Sequence, residues 1–219
     1  MLSDHHLPTA IACLTRAEAC RDSKTNLHER RVAHIVYMLA RETGLDTDAA
    51  SDIARACLLH DIGKLAVPLE LLQKPSSLST EEILRLKTHS ALGHAILAER
   101  ADRPVQLAAT IALHHHERFD GTGYPAGLSG DDIPLPAQIV SICDVYDALR
   151  EDRPYRPGMS HQAAMRVIVN GDRRTQPAHF GPRVWQGFQA VSEDARHLFA
   201  SVPPAELAVR PRAGQARSL

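Results

Sequence analysis

The chain has 219 residues, enough for one well-buried domain with short extensions. Its 44% hydrophobic and 23% charged residues are those of a soluble globular protein, and a net charge of -1 leaves no broad basic face for DNA, RNA or an acidic membrane surface. No apolar run approaches the roughly 20 residues that span a bilayer, and the opening MLSDHHLPTA lacks an apolar signal core. Cys13, Cys20, Cys57 and Cys143 form no Cys-x-x-Cys pair and read as reduced thiols of a cytoplasmic protein, Cys57 and Cys143 as small core residues.

In chain order, residues 1–20 read as an opening helix, an extension that packs on the domain. Residues 21–200 read as the domain itself, and the Pro-, Ala- and Arg-rich stretch 201–219 as a disordered tail. With only some 20 residues before the domain, regulation is expected from expression, partners or metal redox state. Over 27–43, Val32, Ile35, Val36 and Leu39 recur at helical spacing, His28 points to the same inward face, and Gly44 stops the run. Over 47–60, Thr47 is the expected cap and Ile53, Cys57 and His60 share a face. Residues 65–78 read as a loop. Ser79 and Glu82 have capping-box spacing before Ile83 and Leu86. Pro104 opens a helix running to His115. Residues 117–136, with four glycines and three prolines, read as a second loop. A helix over 136–150 carries Val140, Asp144 and Ala148 on one stripe, Ser160 caps a shorter helix, and Pro182 opens a last one with Trp185 and Phe188. No alternating strand pattern or internal repeat is present, so the fold class is all-α.

The chemistry concentrates in His114-His115-His116-Glu117-Arg118-Phe119-Asp120-Gly121-Thr122-Gly123-Tyr124-Pro125. Neutral imidazole is a common metal ligand, and glycines let backbone approach a bound group closely. His60-Asp61 ends an apolar helix, where a buried carboxylate needs strong compensation, which a metal supplies. Ligand-type residues then fall on the apolar side or end of five helical segments: His28, His60 with Asp61, His89, His115 with His116, and Asp144. A lone histidine or a single His-Asp pair would be an ordinary polar contact. The ensemble is what favours a metal site. Seven N and O donors exceed what one zinc takes and suit two octahedral-preferring ions, iron or manganese, bridged by one carboxylate. Adjacent helical residues lie about 100° apart, so three histidines in a row cannot face one centre equally; His115 and His116 are the expected ligands and His114 is support. His5 and His6 read as tail residues, His161, His179 and His197 as surface residues, and His34 and His94 as lying off the ligand stripe.

On these residues the chain resembles the HD-GYP family of the HD phosphohydrolase superfamily. The resemblance rests on His60-Asp61 with Gly63-Lys64, the stretch from His115 to Pro125, Asp144 to Leu149, and Asp152-Arg153-Pro154-Tyr155-Arg156, and it covers about residues 20 to 190. The stretch 115–125 is specific to the family; His-Asp alone is not. The resemblance implies an all-helical HD-domain bundle of about seven helices that hydrolyses cyclic di-GMP. It implies one metal held by His28, His60, Asp61 and Asp144. Asp61 then bridges to a second held by His89, His115 and His116. It puts Lys64 against the scissile phosphate, Arg153 and Arg156 on substrate phosphate or guanine, and Gly123, Tyr124 and Pro125 in a loop that shapes the pocket. That loop, residues 117–130, is also implied to meet diguanylate cyclase (GGDEF) partners. Family members with a third metal carry a glutamate four residues before the first ligand histidine. Lys24 stands there in this chain and would repel a cation, so two ions are expected.

Lys64 lies four residues after His60, one turn onward, where it can stabilise charge or protonate a leaving oxygen, and with Asp61 it is the expected catalytic pair. Composition alone reads Arg153 and Arg156 equally well as a solvated loop. The leading expectation is a metal-dependent phosphodiesterase that opens cyclic di-GMP to pGpG and continues to GMP in some measure. The alternatives are a non-hydrolytic sensor or adaptor that binds cyclic dinucleotide or diguanylate cyclases, whose mark would be a lost ligand, and an HD hydrolase of another cyclic dinucleotide. A homodimer through the opening helix is conceivable, with no seam in the sequence to cite.

Overall fold

A computed structural model describes residues 25–99, 102–152 and 157–201. Among these residues the regular structure is helical, with no strand, as the periodicity predicts. The expected opening helix and tail lie outside the described residues, as do His5, His6, Cys13, Cys20, Lys24, Arg153 and Arg156.

Helix α1 (Thr25–Glu42) buries Val32, Ile35, Val36 and Leu39 completely. It ends as Gly44 adopts a φ of 88°, a conformation that costs glycine nothing. The Gly44 and Leu45 N–H groups then donate back to Arg41 and Ala40 and close the last turn. Helix α2 (Thr47–Ala56) is capped one residue earlier than expected: the Asp46 carboxylate accepts from the Ala49 N–H at 2.7 Å, and Thr47 is the first helical residue. The charged Asp46 carboxylate is the better acceptor for an orphan N–H at a helix start. The α form stops at Ala56 instead of reaching residue 60. A 3-10 turn (Cys57–Leu59) carries the chain to His60, and a second (Ile62–Ala66) follows Asp61.

The stretch 65–78 is not wholly irregular. Pro68 starts a single helical turn, α3 (Leu69–Leu72), anchored by buried Leu71. Helix α4 (Thr80–Lys87) has the expected capping box, with Ser79 Oγ accepting from Glu82 N–H at 3.2 Å and Glu82 Oε2 accepting from Ser79 N–H at 2.7 Å. Helices α5 (His89–Ala98) and α6 (Arg103–His114) follow, α6 with Pro104 in its first turn and His115 just past its end. The loop from 117 contains one 3-10 turn (Gly130–Asp132) before α7 (Leu135–Arg150). Ser160 caps α8 (His161–Asn170) through the Ala163 N–H, and α9 (Pro182–Ser201) closes the described chain.

Helix α1 packs against α2, α7 and α9, while α6 packs against α2, α5 and α7. Ile35, Leu39, Ile111, Ile139, Ile142, Tyr146 and Phe188 fill the space between them with no exposure. Burying each such side chain contributes about 1.5–3 kcal/mol. Cys57 and Cys143 sit fully buried in this core as free thiols, as their stripes predict. His197 is exposed as expected, whereas His161 and His179 are only partly exposed. His161 Nδ1 lies 2.9 Å from the hydroxyl of buried Tyr146, and His179 Nδ1 accepts from the Gln176 N–H at 3.2 Å. A polar partner within reach draws each ring inward.

Gly63 joins the His60-Asp61 turn to α5. A Cβ at residue 63 would run into the His89 carbonyl and the Gly93 N–H. Gly63→Ala should therefore destabilise the domain by about 3 kcal/mol, the upper end of the usual range for forced overpacking. Chemical denaturation checks this, and near wild-type stability would show that residue 63 does not press against the His89 carbonyl.

Candidate metal centre

Five segments bring the seven expected ligands together. His28 comes from α1, His60 and Asp61 from the turn after α2, His89 from the first residue of α5, His115 and His116 from the end of α6, and Asp144 from α7. Donor atoms of Asp61, His89, His115 and His116 all lie within 4.8 Å of one another, as do those of His28, His60 and Asp144. Asp61 stands between the groups. Its Oδ1 is 3.3 Å from His89 Nε2 and 3.8 Å from His115 Nε2, while its Oδ2 is 3.5 Å from His60 Nε2. On the other side, Asp144 Oδ1 lies 3.3 Å from His28 Nε2 and 3.9 Å from His60 Nε2.

The rings are aimed by hydrogen bonds on their far sides. His60 Nδ1 is 2.7 Å from the Cys57 carbonyl, His89 Nδ1 is 2.8 Å from the Leu86 carbonyl, and His115 Nδ1 is about equally near those of Ile111 and Ala112, at 3.1 and 3.0 Å. A carbonyl can only accept, so in each ring Nδ1 carries the hydrogen, and in a neutral ring that leaves Nε2 with the lone pair. Those lone pairs converge. His89 Nε2 and His115 Nε2 face each other at 3.4 Å, and His60 Nε2 and Asp61 Oδ1 are buried without a hydrogen-bond partner. Acceptors turned toward one another in a dry interior are unfavourable unless a cation lies between them. The residues therefore fit a metal site.

Protonation agrees. Burial pushes the His89, His115 and His116 imidazoles down, His116 to about 3, and neighbouring imidazoles add to the effect; nearby Asp61 and Asp144 oppose it in part. These rings are neutral near pH 7 and free to ligate. Burial would also raise the Asp61 carboxyl, but the Lys64 ammonium and the surrounding histidines outweigh it and hold the group well below the usual carboxylate range. His28 differs. Burial would lower it, yet hydrogen bonds to Asp144 and Asp147 raise it to about 10. A proton on its Nε2 thus points at Asp144, in the place a bound cation would take, and metal binding there must displace it.

Around this centre, Lys64 Nζ pairs with Asp61 Oδ2 and keeps 38% of its side chain exposed, so it borders both the carboxylate and the opening. Tyr124 stacks on His116 with ring centroids 4.7 Å apart, and Lys87 Nζ lies 4.7 Å from the Tyr124 ring centre. The Tyr124–Pro125 peptide is cis. Gly123 has no room for a side chain, because a Cβ would strike Glu117 and the Arg118 N–H. Arg153 and Arg156 lie outside the described residues. His114 is not in the cluster; its Nδ1 is 3.9 Å from Glu117 Oε1.

Three residues with no expected role complete the site. Asp147, fully buried, accepts from His28 Nδ1 at 2.7 Å. Arg31 pairs with Asp147. Glu117 accepts from the Ala126 N–H at 2.7 Å and the Leu128 N–H at 3.1 Å, which ties the glycine-rich loop to the end of α6. Spacing offered a signal for two of them: Asp147 is three residues after Asp144 and Arg31 three after His28, neighbours on one helix face.

A helical bundle that closes on a buried histidine–aspartate cluster defines a domain of the HD type. The family model described as HD domain matches residues 14–183, and the chain belongs to that family. The likeness to HD-GYP proteins holds in three dimensions. An HDG"Y"P protein from Bdellovibrio bacteriovorus, Bd1817, superposes with a TM-score of 0.58 at 25% identity, over 76% of this chain and 51% of that one. Among curated relatives, the cyclic di-GMP phosphodiesterase response regulator RpfG of Xanthomonas campestris is 41% identical over 158 residues, 72% of this chain and 42% of its own length. A 3'3'-cGAMP-specific phosphodiesterase of Vibrio cholerae is 38% identical over 186 residues, 81% of this chain and 35% of its own. The chain thus spans about two fifths of the length of such relatives. No described helix is long and apolar enough to cross a membrane.

Hydrogen bonds to a charged acceptor contribute about 1.5–3 kcal/mol. Glu117→Ala should therefore speed amide exchange at Ala126 and Leu128 by about 10- to 100-fold, read by hydrogen–deuterium exchange. Unchanged protection there would show that Glu117 does not hold the loop.

Proposed function

We propose that this chain is a metal-dependent phosphodiesterase that hydrolyses cyclic di-GMP to pGpG, with GMP as the product of continued cleavage. One observation carries the reading: the two carboxylate oxygens of Asp61 face two separate donor groups. In it, His28, His60, Asp61 and Asp144 hold one ion, and Asp61, His89, His115 and His116 hold a second. The mixed imidazole and carboxylate donors suit iron or manganese. Such ions, when bound, acidify water and neutralise charge on phosphoryl oxygens.

The protein's own groups do the remaining work. Asp61 and Asp144 supply the negative charge that retains the cations. Lys64, set against Asp61 and open to solvent on one side, offers an ammonium to a phosphate oxygen and a proton to the leaving oxygen. Gly123 and Pro125 shape a wall on which Tyr124 stands against His116, beside the metal centre. Arg153 and Arg156 present forked donors to the second phosphate or a guanine edge. The names of relatives such as RpfG support cyclic di-GMP as substrate, and the 3'3'-cGAMP-specific relative supports a second cyclic dinucleotide as the alternative. A sensor that binds without hydrolysis is disfavoured because all seven ligand positions are filled. Contact with diguanylate cyclases through 117–130, a homodimer and a cytoplasmic site of action complete the proposal.

Protein purified without oxygen and loaded with manganese or iron should convert cyclic di-GMP to pGpG, followed by chromatography, and should cleave 3'3'-cGAMP less efficiently. A higher kcat/KM on 3'3'-cGAMP would transfer the proposal to that substrate. No turnover in loaded protein that still binds the dinucleotide would favour the sensor. Asp61→Ala should lose bound metal and lower turnover by about a thousandfold or more, the several kcal/mol that metal-assisted charge stabilisation supplies. Turnover that survives this change would rule out the bridging role of Asp61.

A further inference from the structure

Behind His28 lies a third grouping of metal-type donors, made by His28, Asp147 and Glu151. A side chain already supplies its cation. Arg31 donates from Nε to Asp147 Oδ1 at 2.6 Å, and from Nη2 to Asp147 Oδ2 at 2.8 Å and Glu151 Oε1 at 3.0 Å. This is the forked, two-point grip that a guanidinium gives a carboxylate and an ammonium cannot. The Arg31 side chain is 8% exposed, and Phe199 of α9 lies 4.8 Å from its guanidinium carbon. The same Asp147 Oδ2 that Arg31 holds is the acceptor of His28 Nδ1, at 2.7 Å. The opposite nitrogen of His28 faces Asp144.

From this chain of contacts we infer that Arg31 is a positioning residue of the metal centre: its guanidinium fixes Asp147, and Asp147 fixes the His28 ring with Nε2 turned toward Asp144. The inference rests on the two-ion reading above. Asp147 is fully buried, and a buried carboxylate needs hydrogen-bonded partners to hold its orientation. Once Arg31 is gone, nothing in the fork holds the carboxylate plane, and His28 loses the partner that sets its rotation. The other ion shares Asp61 with this one but takes its imidazoles from elsewhere. His89 and His115 are aimed by the carbonyls of Leu86, Ile111 and Ala112, none of which touches Arg31. Removing Arg31 should therefore weaken one ion and spare the other, an asymmetry that a residue serving only overall stability would not produce.

The test is a chelator-competition titration of anaerobic, manganese-loaded full chain, wild type against Arg31→Gln, Arg31→Lys and Asp147→Asn, with melting temperature recorded in parallel. Loss of a ligand's supporting hydrogen-bond partner weakens metal binding by about 10- to 100-fold. Arg31→Gln and Asp147→Asn should each impose that loss on one ion and change the other less than about threefold, and the double variant should be no worse than either single. Arg31→Lys, which keeps the charge and loses the fork, should fall between wild type and Arg31→Gln; it carries the same test should Arg31→Gln fail to fold. Equal weakening of both ions, no change in either, or a rise to three ions in Arg31→Gln would each overturn the inference. A wild-type stoichiometry of one ion would overturn the two-ion reading instead.

Discussion

The domain depends on making a buried carboxylate tolerable. Asp61 is 4% exposed, with the Lys64 ammonium on one oxygen and histidines around the other. Removing an ionised carboxylate from water costs several kcal/mol even after relaxation, and one lysine at the rim recovers only part of that. The imidazoles near it are pushed toward neutrality by the same burial, so they add lone pairs and little charge. Electronegative atoms outnumber positive ones at the centre. Five segments of the chain are committed to this arrangement, which becomes favourable when cations complete it.

The helices deliver this geometry through their ends. The last carbonyls of a helix have no partner within it and carry the negative end of its dipole. Cys57 lies just past the end of α2, Leu86 in the last turn of α4, and Ile111 and Ala112 in the last turn of α6. Each of these carbonyls receives a histidine Nδ1–H and so turns the opposite nitrogen inward. One arrangement fixes ring tautomers and gathers three helix C-termini, with their partial negative charge, around a place suited to a cation. Beneath it the packing of Ile35, Leu39, Ile111, Ile142 and Phe188 keeps the helices from drifting apart, so the donors do not have to be assembled anew at each binding event.

Much of this was legible in the sequence, for a reason that can be named. Helical periodicity marks the inward face of a helix, and a histidine or aspartate on that face has to be explained by something other than water. That logic placed His28, His60, Asp61, His89, His115, His116 and Asp144 together, and the structure does bring them together. What stayed hidden was partner choice. Asp147 and Glu117 sat in plain view beside expected ligands, but which N–H groups they accept from depends on the angle at which α1 meets α7 and on how the 117–130 loop folds back. Periodicity carries neither. The same limit explains His161 and His179, which read as polar and therefore exposed until Tyr146 and Gln176 come within reach. Helix ends slipped for a related reason: Asp46 replaced Thr47 as cap, and α2 tightened into a 3-10 turn to set His60 and Asp61 at the centre.

The most direct measurement is a diffraction experiment on crystals of the protein loaded anaerobically with manganese or iron, with anomalous differences collected at the metal edge. Two peaks are expected. One should be bounded by His28, His60 and Asp144, the other by His89, His115 and His116, with one oxygen of Asp61 on each. A single peak, or two peaks that leave Asp61 outside both coordination shells, would contradict the bridging carboxylate.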